Sequence, residues 1–170
     1  MGVPIRFDES DRRFLFTFEI IDELQDRRPD LSIFRQLDLA MENTVDGLTM
    51  LIIMTDVFCP DVGLDRIPKL LKANTRTGEG SLTEIRAALN LALIMSMPAP
   101  DEKEEEKEED GSGKIEVQKF LIIAMDKFGM TEAEAWKLTL RKFSLLNDAY
   151  MSIHGMKKAK EEQVSLLALP

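Results

Sequence analysis

The chain has 170 residues, long enough for one ordinary domain or for a small domain with a helical appendage. With 44% hydrophobic and 31% charged residues it can build a core and keep it solvated, which excludes a wholly disordered chain. A formal net charge of -9, with basic residues clustered only briefly at Arg12-Arg13, Arg27-Arg28 and Lys157-Lys158, argues against nucleic acid as a partner.

Along the chain, Met1 to Arg6 lacks a basic segment followed by an apolar run, so a secretory signal is not expected. Ile5-Arg6-Phe7 and Phe14-Leu15-Phe16 flank a polar stretch and alternate large apolar with other residues, the pattern of a small β-hairpin. Such a hairpin is marginal in water and needs cover from helices later in the chain. Phe18, Ile21 and Leu24 recur at helical spacing until Arg28-Pro29 stops the run. A second helix is expected after Asp30 as N-cap, with Leu31, Phe34, Leu37 and Met41 on one stripe, and Asn43-Thr44 breaks it. From Val45 a third helix is apolar nearly all round, which means burial on several sides or a face reserved for a partner. Its run from Leu48 to Phe58 carries Asp56 and falls short of the roughly 20 apolar residues that span a bilayer, so no membrane association is expected.

Cys59-Pro60 ends that helix. Cys59 is the only cysteine, so no disulfide can form within the chain, and a reducing compartment suits it. Its expected place is the core, with a reactive thiol as the alternative. A short helix interrupted by Pro68 is expected over 64–74, then a polar loop over 75–80. Ser81-Leu82-Thr83-Glu84 fits a capping box opening a helix whose stripe is Leu82, Ile85, Leu89, Ala92 and Leu93. Pro98-Ala99-Pro100 closes it, and residues 101–110, all Asp, Glu or Lys, followed by Gly111-Ser112-Gly113, read as a solvated tether. Beyond it, Ile115 to Phe128 reads as an apolar helix capped by Gly129. Thr131-Glu132-Ala133-Glu134 is a second capping box, and Leu140 to Ile153 repeats Phe143, Leu146 and Tyr150 at spacings of three and four.

The expected fold class is therefore mainly α. Residues 1–97 form a β-hairpin on a bundle of four to five helices, 98–114 an acidic flexible linker, 115–155 a small helical hairpin, and 156–170 a loose tail.

Chemistry is sparse. His154 is the only histidine, which removes Ser-His and Cys-His nucleophile pairs and any two-imidazole site. No zinc set, EF-hand loop, phosphate loop or dinucleotide fingerprint is present, so no cofactor or metal is expected. Pairs such as Asp8 with Asp11 or Glu132 with Glu134 sit in turns and first turns, where capping explains them better than acid–base work. A non-enzymatic protein is expected.

Arg12-Arg13-Phe14-Leu15-Phe16-Thr17-Phe18 running into Ile20-Ile21-Asp22-Glu23-Leu24 resembles the start of tail assembly chaperones of long-tailed bacteriophages and the related gene-transfer-agent proteins. The stretch from Phe128 to Leu146, with L-T-x-R-x-F-x-L-L at 138–146, resembles their distal segment, where a capped short helix precedes one bearing Thr, Arg and Phe. The likeness covers the first part loosely and residues 115–153 more closely. It implies a homo-oligomer in the host bacterial cytoplasm whose first part coats the tape-measure protein. The distal part would recruit major tail tube protein, and the chaperone would be absent from the finished tail. On that reading Trp136, Leu138, Arg141, Phe143, Leu146 and Tyr150 are the candidate recruiting surface, and Leu48, Leu51, Ile52 and Thr55 are candidate cargo or self-association positions. Core packing is the alternative for each apolar member. A connector protein retained in the virion, or a helical adaptor unrelated to phage, are the alternative functions.

Overall fold

The computed structural model describes residues 2–7, 10–73, 82–98 and 114–155. The chain opens with an antiparallel hairpin, β1 (Val3–Phe7) and β2 (Ser10–Phe14), in register from Phe7↔Ser10 to Val3↔Phe14. Period-two alternation places Val3, Phe7 and Phe14 on one buried face, while Pro4, Arg6 and Arg13 face out. The second strand was expected over Phe14–Phe16 and instead ends at Phe14. Phe14 pairs with Val3, the first residue of β1, and the Phe16 N–H leaves the ladder to donate to Ser96 Oγ at 3.0 Å.

Eight helices are found among the described residues: α1 (Phe18–Arg27), α2 (Ile33–Met41), α3 (Val45–Phe58), α4 (Ile67–Ala73), α5 (Leu82–Ser96), α6 (Val117–Phe128), α7 (Glu132–Trp136) and α8 (Leu140–Ile153). The protein is thus mainly helical with an N-terminal two-stranded hairpin. Thr17, Ser32, Thr44, Thr131 and Thr139 each cap a helix with the side-chain oxygen, accepting from a backbone N–H three residues on. The cap of α2 is therefore Ser32 and not Asp30, whose carboxylate is taken by Arg28 at 2.8 Å. That difference rotates the buried stripe to Ile33, Gln36, Leu37 and Ala40 and leaves Phe34 46% exposed. The helix expected from Leu64 begins at Ile67, which puts Pro68 in a first turn where no N–H is required. Helix α6 ends on Gly129 in the left-handed conformation, φ +64°, as a C-terminal glycine cap does. The polar loop 75–80, Ser81 of the first capping box, most of the tether (99–113) and the tail (156–170) lie outside the described residues. Among those described, no helix is long and apolar enough to cross a membrane.

One hydrophobic core runs through all of this, from Val3 and Phe7 of the hairpin to Ala135, Leu138 and Phe143 of the distal helices. Phe58 links hairpin to helices, its ring stacked on Phe14 at 4.6 Å and edge-on to Phe16 at 5.1 Å. Arg86 on α5 closes the end of α2, donating to the carbonyls of Ala40 (2.9 Å) and Glu42 (2.7 Å). These carbonyls are among those a helix end leaves unmatched.

The distal helices pack on α1 and α5. The Phe18 N–H, one of the unpaired donors at the start of α1, donates to the Leu138 carbonyl at 2.8 Å. Gln25 grips Ile115 from both sides, its amide nitrogen donating to the Ile115 carbonyl (3.0 Å) and its oxygen accepting the Ile115 N–H (2.8 Å). This engagement holds Ile115 outside α6, which starts at Val117 rather than at Ile115.

Asp56, 6% exposed inside α3, accepts from Arg27 at 2.6 Å, and Arg27 also reaches Glu23 at 2.7 Å. The bond to Asp56 is the main reason that the guanidinium pKa is raised. Arg27→Ala would leave the Asp56 carboxylate buried without its cation. The expected cost is about 2 kcal/mol, below the 3–5 of a fully buried pair because Arg27 is partly exposed, read as a lower urea midpoint at unchanged slope.

Candidate protein-binding surface

Ten residues were expected to meet partners, and the structure distributes them unevenly. Leu51 and Thr55 are fully buried in α3, where Thr55 Oγ1 donates to the Leu51 carbonyl at 2.7 Å. Leu138 and Phe143, each 7% exposed, also serve the core. Their side chains present almost no surface in this conformation, because the distal helices lie on α1 and these residues fill the seam. Arg141 and Leu48 are exposed, and Ile52, Trp136, Leu146 and Tyr150 are half-buried. Tyr150 packs beside Phe128 at 6.0 Å and His154 at 4.2 Å, with Lys127 Nζ 5.6 Å from its ring centre.

Further aliphatic residues are exposed on α3 and α8 and on α5 and α6. Val45, 80% exposed, joins Leu48 and Ile52 at spacings of three and seven on α3. On α5, Leu91 and Ile94 lie outside the buried stripe of Ile85, Ala88, Leu89, Ala92 and Leu93. On the distal helices Ile122 and Leu145 are 61% and 59% exposed, and Ile153 is exposed at the end of α8. The signal for all of them was available: each helix carries more apolar positions than one stripe can bury. Periodicity alone does not say which positions are the surplus.

Between α1 and α7 lies an open groove of about 610 Å³. Ile20, Val57, Pro60, Ala133 and Trp136 give it apolar surface, and Glu19, Asp22, Glu23, Arg27 and Lys137 supply charge. Helix α7 is positioned there by its capping box, in which Thr131 Oγ1 accepts the Glu134 N–H (3.3 Å) and the Glu134 carboxylate accepts the Thr131 N–H (2.9 Å). Those bonds from Thr131 hold the Glu134 carboxyl below the usual carboxylate range. Asp22 moves the other way: burial first, then Asp26 and Glu23, push its pKa up.

No protein-family model, curated protein or solved structure matches this chain. Among the described residues, no group of three or more His, Cys, Asp or Glu side chains converges as a metal set. Cys59 is fully buried beyond the end of α3, and burial pushes its thiol up to about 11, so it is protonated at neutral pH. What this surface offers is aliphatic and aromatic area with charged margins, the chemistry of protein recognition.

Proposed function

We propose that this chain is a non-enzymatic tail assembly chaperone of the long-tailed phage type. It holds tape-measure helices, recruits tail tube protein, acts as a homo-oligomer in the bacterial host and leaves the finished tail. The observation that carries this reading is the surplus of exposed aliphatic residues at helical spacings, Val45 with Leu48 on α3 and Leu91 with Ile94 on α5. A protein whose task is to cover apolar stripes of other helices needs such faces. The resemblance of residues 128–146 to distal chaperone segments adds support, and that stretch folds as a glycine-capped helix end, a boxed short helix and a threonine-capped long one.

Removing 115–153 would be a poor test, since it would strip Phe120 and Phe143 from Phe18 and uncover the core. Surface changes are cleaner. In co-expression with tape-measure and tube proteins, Ile122→Glu with Leu145→Glu should reduce tube-protein capture at least about tenfold, and Val45→Glu with Leu48→Glu should do the same for the tape-measure protein. Thermal midpoints should stay close to the parent's for the Ile122 and Leu145 pair, whose side chains are exposed, and fall by a few degrees for the second pair, since Leu48 is only 38% exposed. Undiminished capture by both variants refutes the reading, as does the chain appearing at fixed copy number in purified particles, the result a retained connector would give.

A further inference from the structure

The groove between α1 and α7 has a floor and a charge pattern that do not belong to the exposed aliphatic faces of α3 and α5. Trp136 contributes ring surface, its indole N–H being already bonded to Glu132 at 3.3 Å. Ile20 and Pro60 continue that floor from α1 and from the turn after α3. The volume, about 610 Å³, is in the range of clefts that enclose a ligand's anchoring groups.

The walls are not electrically balanced. Arg27 is engaged by Glu23 and Asp56, and Lys137 is the remaining cation of the lining, set against Glu19 and Asp22. Glu19 and Asp22 have no cation bonded to them among the described residues. They belong to a row, Glu19, Asp22, Glu23 and Asp26, spaced at zero, three, four and seven on α1, where like charges repel. Burial, and after it repulsion from Asp26 and Glu23, raises the pKa of Asp22. The fold tolerates an unfavourable charge placement beside an aromatic floor.

We propose that this groove docks a short protein segment presenting an apolar side chain flanked by lysine or arginine. The apolar residue covers Trp136 and Ile20, and the flanking cations face Glu19 and Asp22. An arginine there gains further from the indole face. Phosphate-bearing and acidic partners are repelled by the same carboxylates.

Trp136 is the only tryptophan in the chain, so its emission reports on this groove. The full chain is titrated with two synthetic peptides of about 12 residues in which leucine and phenylalanine are interleaved with lysine in one and with glutamate in the other. The lysine peptide should shift Trp136 emission saturably, with affinity falling several-fold from about 50 to 300 mM salt, and the glutamate peptide should not. Asp22→Asn combined with Glu19→Gln should weaken the lysine peptide about tenfold. Its thermal midpoint should nonetheless stay within a few degrees of the parent's at neutral pH, relief at Asp22 offsetting the loss of the Glu19 charge from the first turn of α1. An acid whose pKa is raised by folding destabilises the native state once pH exceeds its ordinary range, so neutralising it helps there, and the gain fades at acid pH where the parent is protonated. Docking lost while stability holds separates a recognition role from a structural one. No saturable response to the lysine peptide, equal binding of the glutamate peptide, or undiminished binding by the double variant overturns the proposal. So does a lysine-peptide affinity that falls as protein concentration rises, which would place a second copy in the groove. None of these outcomes involves a tail protein, so this proposal fails or survives separately from the chaperone reading.

Discussion

Phe18→Ala should destabilise the protein by about 3–5 kcal/mol and lower its thermal midpoint by roughly 10 °C. Phe18 is fully buried, stacked on Phe120 at 5.5 Å and edge-on to Phe143 at 6.1 Å, while Phe120 and Phe143 meet each other at 4.9 Å. Truncation removes the ring shared by α1, α6 and α8 and leaves a void that the surrounding side chains cannot collapse into without moving a helix. Circular dichroism through a thermal ramp provides the measurement. Because one core joins the hairpin to the distal helices, a single shifted transition is expected. A second transition at the parental temperature would show instead that the distal helices fold by themselves and that Phe18 matters only to their docking.

Gly47→Ala should cost about 3 kcal/mol, although alanine ordinarily stabilises a helix interior by about 1 kcal/mol over glycine. A Cβ at Gly47 would stand 2.4 Å from the Glu42 carbonyl oxygen and 2.7 Å from that of Leu39. Both contacts are backbone, at the end of α2, and neither can swing aside as a flexible side chain would. The Glu42 carbonyl is also held by Arg86, and the Gly47 N–H is committed to Thr44 Oγ1 at 3.0 Å. Helices α2 and α3 meet closely because this position has no side chain. Urea unfolding decides the matter through its sign: a midpoint that rises with alanine would mean that α3 withdraws from α2 freely and that the approach is not required.

Much of the fold was legible along the chain. The stop at Arg28-Pro29, the break before Val45, the Thr131 capping box and the Gly129 cap all stand where the sequence placed them. Each depends on residues within about four positions of one another, so the chemistry is complete in a short window. The misplacements were also local in kind. Asp30 and Ser32 both suit an N-cap, and an arginine bond to Asp30 decided between them. The second strand slid to Ser10–Phe14 because pairing register depends on the partner strand.

The candidate site was less legible. Trp136 was singled out from the sequence, but its groove also needs Ile20 and Val57, which come from helices far away in sequence. Leu51, Thr55, Leu138 and Phe143 carried the same apolar or helical signal as exposed neighbours, and only packing told them apart.

By itself the sequence determined that this chain is mainly helical, where most of its helices start and stop, and that a hairpin precedes them, because spacing and capping act over a few residues. Tertiary structure alone decided which apolar residues are core and which are surface. It did so through contacts such as Gln25 with Ile115, ninety residues apart, and Phe16 with Ser96, eighty apart. Such contacts form only when whole elements have docked, and no local pattern carries the sum of interactions that selects them.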